Sequence, residues 1–191
     1  MAEFMRNPEV MEKAHKELNE VVGLNNVVEE FHIPKLVYLD VVIKETLRIH
    51  PPGPLLIPRI PSQSCTVGGY CIPKDSAVFI NIWSIQRDPL AWDNPSEFMP
   101  ERFLGNSEKW NFSRNNFNYI PFGSGRRICA GLPLADRMLR YVLASLLHSF
   151  NWQLPKGEKV DIENRFRVVL RKKNLLVAIP SPRLSGKNLY V

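Results

Sequence analysis

Cysteine is scarce: only Cys65, Cys71 and Cys129 occur among 191 residues. An odd and low count gives no disulfide framework and fits a reducing compartment, although Cys65 and Cys71 flank Gly68-Gly69 and could face one another across a turn. Long apolar runs are missing as well. No stretch reaches the roughly 18 consecutive apolar residues of a membrane-spanning helix, and Met1 opens no signal-peptide pattern. The four histidines, His15, His32, His50 and His148, form no His-x-x-x-His pair and lie near no acid cluster of ligand spacing, so they read as helix-surface residues. A serine nucleophile elbow, a Walker loop and a Rossmann glycine fingerprint are all lacking. Gly68-Gly69 precedes a strand, whereas a phosphate cradle opens a helix. The net charge of +6 is scattered except at Arg171-Lys172-Lys173, which suits a solvated face better than a nucleic-acid site.

With 45% hydrophobic residues and no repeat or interdomain linker, residues 1–191 read as one globular unit. Asn7-Pro8-Glu9 signals a helix start with asparagine as cap, and Gly23 a stop. A second helix is expected from Pro34 to His50, ended by Pro51-Pro52-Gly53-Pro54. Short strands follow at Leu55–Ile60, Cys65–Val67 and Ala77–Asn81, then a short helix over Ile82–Arg87. Leu90–Pro121, rich in Asn, Pro, Ser and aromatics, has no sustained period and reads as an ordered meander. Apolar pairs at helical spacing mark a long helix from Leu132 to Phe150, and Phe166–Leu170 with Leu175–Ile179 read as a terminal hairpin turning on basic residues. The fold class is therefore mainly α with small β-sheets.

The most informative run is Phe122-Gly-Ser-Gly-Arg-Arg-Ile-Cys-Ala-Gly131. Its glycines permit close backbone approach to a flat ligand. Arg126 and Arg127 supply positive charge, and the following helix, with Pro133 in its first turn, offers a positive end. Arginine, helix dipole and backbone donors together favour a thiolate at Cys129, which is the form that binds metal. A bare Cys-x-Gly would more often be a buried packing cysteine in a strand-to-helix turn. Here five fixed positions fall within ten residues: Phe122, Gly125, Arg127, Cys129 and Gly131.

That spacing resembles the haem-ligand loop of the cytochrome P450 superfamily. Glu45-Thr-Leu-Arg48, on its own a commonplace helix-surface pair, is similar to the family's Glu-x-x-Arg motif, and Pro100-Glu-Arg102-Phe103 to its meander motif. The resemblance implies haem b (iron protoporphyrin IX) with Cys129 as axial thiolate ligand to iron, Phe122 as an aromatic shield beside the sulfur, and Arg127 on a propionate. It implies a second propionate contact at Arg59, whose plainer reading is a strand-edge arginine, and a structural ion network of Glu45, Arg48 and Arg102. Pro54–Ile57 and Phe166–Leu170 match segments that line the substrate cavity, though core packing explains them equally well.

The expected activity is monooxygenation: one oxygen atom from O2 enters a small apolar molecule such as a terpenoid, with electrons from an NADPH-dependent reductase docking on the basic face. The flavour is that of plant microsomal terpenoid hydroxylases such as geraniol hydroxylase. The match corresponds to the C-terminal portion of a family member, a single partial domain over residues 1–191. The helix carrying the acid–threonine pair that, in the family, delivers protons to oxygen has no counterpart upstream of Asn7, so no catalytic residue is assigned and substrate oxidation by this chain alone is not expected. The full-length relative is expected at the cytosolic face of the endoplasmic reticulum, anchored by an N-terminal segment missing here. Two alternatives remain: a haem-thiolate isomerase or dehydratase, which the intact Phe122 and Gly125 disfavour, and a non-catalytic haem-binding or interaction fragment.

Overall fold

In the computed structural model, which describes residues 1–105, 110–112, 116–166 and 169–190, helices carry the core and small antiparallel sheets lie beside them. This is the fold class expected. Helix α1 (Ala2–Arg6) meets α2 (Pro8–Val21) at Asn7. Pro8 opens α2 as expected, but Asn7 does not cap it. The unforeseen α1 supplies the nearer partners, so the Asn7 amide donates to Glu3 O at 2.8 Å and to the Glu3 carboxylate at 3.3 Å. Gly23, at φ +82°, takes the left-handed conformation just beyond α2 and donates back to Leu18 O.

Pro34 lies inside a 3-10 helix, Glu30–Lys35, and α3 begins only at Val37, running to Ile49. The start is set at long range. The Glu17 carboxylate of α2 accepts the backbone N–H groups of Tyr38 at 2.6 Å and Leu39 at 2.9 Å, satisfying donors that a helix start leaves open. Leu39, Val42 and Leu47 are buried, and so are Glu45 and Arg48, making α3 the central helix rather than an amphipathic surface one.

Strands β1 (Cys65–Val67) and β2 (Tyr70–Ile72) form a hairpin closed by Gly68-Gly69, both at positive φ as a two-residue turn requires. Cys65 pairs with Ile72 and Thr66 with Cys71, so the two cysteines project from opposite faces and do not face each other. The expected strands Leu55–Ile60 and Ala77–Asn81 reduce to a single bridge between Arg59 and Val78, because Leu56 turns the chain at φ +51°. A short α4 spans Ile82–Ile85, with Asn81 Oδ1 accepting the Ser84 N–H at 3.0 Å.

Within Leu90–Pro121, residues 106–109 and 113–115 lie outside the described residues. The remainder is held by aromatic packing that no backbone period announces. Trp92 stacks on Trp110 at 4.7 Å, and Phe103 meets Trp110 edge-on at 5.4 Å. Tyr119, fully buried, donates from its hydroxyl to Lys44 O of α3 at 2.9 Å. Tyr119→Phe is expected to cost about 1 kcal/mol, read as a lower urea midpoint with unchanged slope.

The long helix α5 (Leu132–Ser149) packs Ala144 and Leu147 into the core while Leu134, Met138 and Val142 stay exposed. It runs directly into β3 (Phe150–Gln153). A two-residue pair, β4 (Asn164–Arg165) with β5 (Arg171–Lys172), precedes β6 (Ile179–Pro182). The terminal hairpin is thus corrected: Ile179 pairs with Gln153 of β3, and Arg171-Lys172 form a strand rather than the turn. Residues 167–168 of the expected Phe166–Leu170 strand lie outside the described residues. The histidines also differ from expectation, since His32 and His148 are buried. His148 Nε2 lies 3.0 Å from Asn26 O. Burial, then the charge of Arg183, lowers the His15 pKa to about 4.

Candidate functional site

Glu45, Arg48 and Arg102 meet in a buried ion network. Arg48 meets the Glu45 carboxylate with two bonds, Nε at 2.7 Å and Nη2 at 2.9 Å, and both side chains are 0% exposed. The i, i+3 spacing on α3 makes this fork possible. Arg102, from the 3-10 turn Pro100–Phe103, joins with Nε 3.2 Å from Glu45 Oε1. The remaining guanidinium donors go to the end of α4 and to the meander: Arg48 Nη1 to Gln86 O and Pro95 O, Nη2 to Glu97 O, and Arg102 Nη1 to Asp93 O at 2.8 Å. The Met99 N–H donates to Glu45 Oε1 at 2.9 Å. The Arg48 guanidinium also lies over the Trp92 ring, 5.1 Å from its centroid. Charges buried this deeply persist only with such complete pairing.

Glu101, beside Arg102 in sequence, points elsewhere. It accepts from Lys13 Nζ at 2.6 Å and from the Tyr38 hydroxyl at 3.0 Å.

The cysteine loop is built from turns locked end to end. The Gly123 N–H donates to Ile120 O at 2.9 Å, and Gly125–Arg127 make one 3-10 turn closed by Ile128 N–H on Gly125 O. The Cys129 N–H then reaches back to Phe122 O at 3.0 Å, while Cys129 O accepts from Leu132 N–H at 3.2 Å. Cys129 is held on both sides by its backbone, and its thiol is exposed. It lies three residues before α5, outside the first turn where the helix dipole acts most strongly.

The glycines serve different ends. Gly123 and Gly125 are required by φ of +76° and +65°, whereas Gly131 is not at positive φ and a Cβ there would rest 3.8 Å from Cys129 Sγ. A Cβ at Gly125 meets no atom within 4 Å, so Gly125→Ala carries only backbone strain. We expect it to cost about 1–2 kcal/mol without disturbing α2 or α3, measured by urea unfolding and amide exchange.

The loop forms one wall of an open cleft of about 700 Å³. Phe122, Ile128 and Cys129 face Leu56, Ile57 and Pro58 across it, and Arg59, Arg126 and Arg127 line it as well. Arg59, placed by its bridge to Val78, and Arg127, nearly seventy positions later in the chain, therefore share a cavity with the thiol. The Phe122 ring is fixed edge-on against Phe112 at 5.0 Å. The volume lies within the range of cofactor pockets. Apolar walls, guanidinium groups and a single soft sulfur make a donor set suited to a flat apolar macrocycle bearing carboxylates and a thiophilic metal. No group of three or more His, Cys, Asp or Glu side chains that could hold a bare metal ion occurs among the described residues.

Of the residues singled out from sequence, Phe122, Arg127, Cys129 and Arg59 meet at the cleft, and Glu45, Arg48 and Arg102 meet in a separate buried network that does not line it. Gln86 was passed over. Its side chain is 0% exposed and bonds to both α3 and the residue before Pro121, but a single glutamine at a helix end gives no sequence signal of that role.

A family model for cytochrome P450 matches residues 1–179. The chain is 45% identical over 192 residues to a flavonoid 3'-monooxygenase of Petunia hybrida, covering 98% of this chain and 38% of that protein. It is 48% identical over 171 residues to ent-cassadiene C11-alpha-hydroxylase 1 of Oryza sativa subsp. japonica, covering 87% and 34%. The solved structure of a zebra fish cytochrome P450 with abiraterone superposes with a TM-score of 0.84 at 34% identity, covering 95% of this chain and 41% of that one. The chain thus spans well under half the length of the curated relatives it matches. With that family match across nearly its whole length, the chain belongs to the cytochrome P450 family.

Proposed function

We propose that this chain forms the cysteine-side wall of a haem-thiolate monooxygenase, in which Cys129 would hold the iron of haem b as a thiolate. The observation that carries this reading is the cleft in which Arg59, Arg127, Phe122 and the exposed Cys129 thiol converge. Haem bound there supplies the oxygen chemistry, which a thiolate ligand favours. The chain's residues position and screen it. Arg59 and Arg127, which line the cleft, would hold the two propionates as charge-assisted pairs. Phe122 would limit water beside the sulfur, and the bond from Cys129 N–H to Phe122 O holds the backbone that carries the thiol. Glu45, Arg48 and Arg102 act as scaffold, holding the meander against α3 so that the loop keeps its shape.

Relatives whose printed names denote a flavonoid monooxygenase and a diterpene-type hydroxylase support a small, largely apolar substrate, terpenoid or flavonoid, with O2 as cosubstrate and electrons from an NADPH-dependent reductase. Residence at the cytosolic face of the endoplasmic reticulum belongs to the same reading. Among the described residues no helix is long and apolar enough to cross a membrane.

The test is a titration of the chain with ferric protoporphyrin IX and with its dimethyl ester, which lacks the carboxylates. Losing two charge-assisted contacts of about 1.5–3 kcal/mol each should weaken binding by about a hundredfold or more. Equal affinity for the two would remove Arg59 and Arg127 from the site.

A further inference from the structure

We propose that Gln86 is the positioning residue that couples the buried Glu45–Arg48 network to the Cys129 loop, an inference that rests on Cys129 being the iron ligand. Gln86 follows α4 and is 0% exposed, with every polar atom of its side chain engaged. Its Nε2 donates to Leu47 O at 3.0 Å and Arg48 O at 2.9 Å, two carbonyls at the C-terminal end of α3. Its Oε1 accepts the Ile120 N–H at 3.2 Å. Its backbone oxygen accepts from Arg48 Nη1 at 2.8 Å, and its backbone N–H donates to Ile82 O at 2.9 Å. Next to it, the Arg87 guanidinium donates to Ile49 O, so neighbouring side chains close successive carbonyls of α3.

From Ile120 the path is continuous. Ile120 O accepts the Gly123 N–H that sets the first turn of the loop, and Phe122 O within that turn accepts the Cys129 N–H. Four links thus join Arg48 to the cysteine: Arg48 to Gln86, Gln86 to Ile120, Ile120 to Gly123, and Phe122 to Cys129.

Only a primary carboxamide fits this junction. It presents two N–H donors and an acceptor on one rigid plane, and the junction asks for two donors on one side and one acceptor on the other. Glutamate would turn a carboxylate toward two carbonyl oxygens. Methionine would fill the volume but leave Leu47 O, Arg48 O and the Ile120 N–H without their partner in a dry interior. A glutamine whose role were packing alone would need none of these bonds.

The experiment compares the wild-type chain with Gln86→Met, using two readouts. In the haem-free chain, amide hydrogen exchange at Ile120 and Cys129 should accelerate at least tenfold, the equivalent of about 1.4 kcal/mol, while Leu18 of α2 and Leu147 of α5 change less than twofold. In the haem-loaded, reduced and CO-bound chain, the thiolate-type Soret band should give way largely to the protonated-thiol type. Uniform acceleration across all four amides, or no acceleration at Ile120 and Cys129, would overturn the assignment. So would a retained thiolate band in the variant.

Should Gln86→Met fail to fold, wild-type native-state exchange decides. The Gln86 side-chain amide, Ile120 and Cys129 must then open with one common denaturant dependence, and separate dependences would overturn the coupling. A wild-type chain that shows no thiolate band at all refutes the haem reading but leaves the exchange result intact, so the two failures are distinguishable.

Discussion

Arg48→Ala should strip away a large part of the protein's stability rather than merely weaken a function. Substitution leaves the Glu45 carboxylate, 0% exposed, facing only Arg102 and the Met99 N–H, strips Gln86 O and Pro95 O of the Arg48 donor, and leaves Glu97 O with only the longer contact from Arg102 Nη2. Breaking one side of a buried pair costs about 3–5 kcal/mol. That is a large share of the roughly 5–15 kcal/mol by which a domain is stable. Glu45→Ala should cost a similar amount, since it leaves two guanidinium groups without their shared anion. The expected readout is a collapse of the urea midpoint together with loss of haem binding. The double variant Glu45→Met/Arg48→Leu should be less damaging than the sum of the two single losses, because no charge of the pair is then stranded. A loss below about 1 kcal/mol for either single variant would place the pair among ordinary surface bridges.

Cys129→Ser should do the opposite, sparing the fold and abolishing the site. The Cys129 side chain is exposed, and the hydrogen bonds that shape its loop are made by backbone groups. The unfolding midpoint should therefore stay within about 0.5 kcal/mol of wild type. A serine hydroxyl is neutral at any pH at which the chain is folded and cannot replace thiolate donation to iron. The thiolate-type spectrum should vanish even where Arg59 and Arg127 still retain haem in the cleft. The contrast between the two variants separates scaffold from ligand: one removes stability and haem together, the other removes only the ligation.

The cysteine loop and the Glu45–Arg48 pair were legible because each motif is local. Fixed residue types at fixed offsets define the Gly123 and Gly125 turns and the i, i+3 fork. Helix spans were legible from period, but their starts were not. The start of α3 is set by Glu17, twenty-one residues before Tyr38, and Asn7 abandons its capping role for Glu3. Sheet partners failed for a related reason. Phe150–Gln153 continues directly from α5 and finds Ile179–Pro182 across the intervening chain, a pairing that no adjacent turn announces. The burial of Gln86, Tyr119 and His148 was equally hidden, since each is a polar side chain drawn inward by a backbone group distant in sequence.

The most direct measurement is the carbon monoxide difference spectrum of the reduced, haem-reconstituted chain beside that of Cys129→Ser. A thiolate-type Soret band in the wild type, absent from Cys129→Ser while its fold and haem content persist, is the predicted result. The same band in both proteins, or an imidazole-type band in the wild type, would place the iron on another residue and contradict the account.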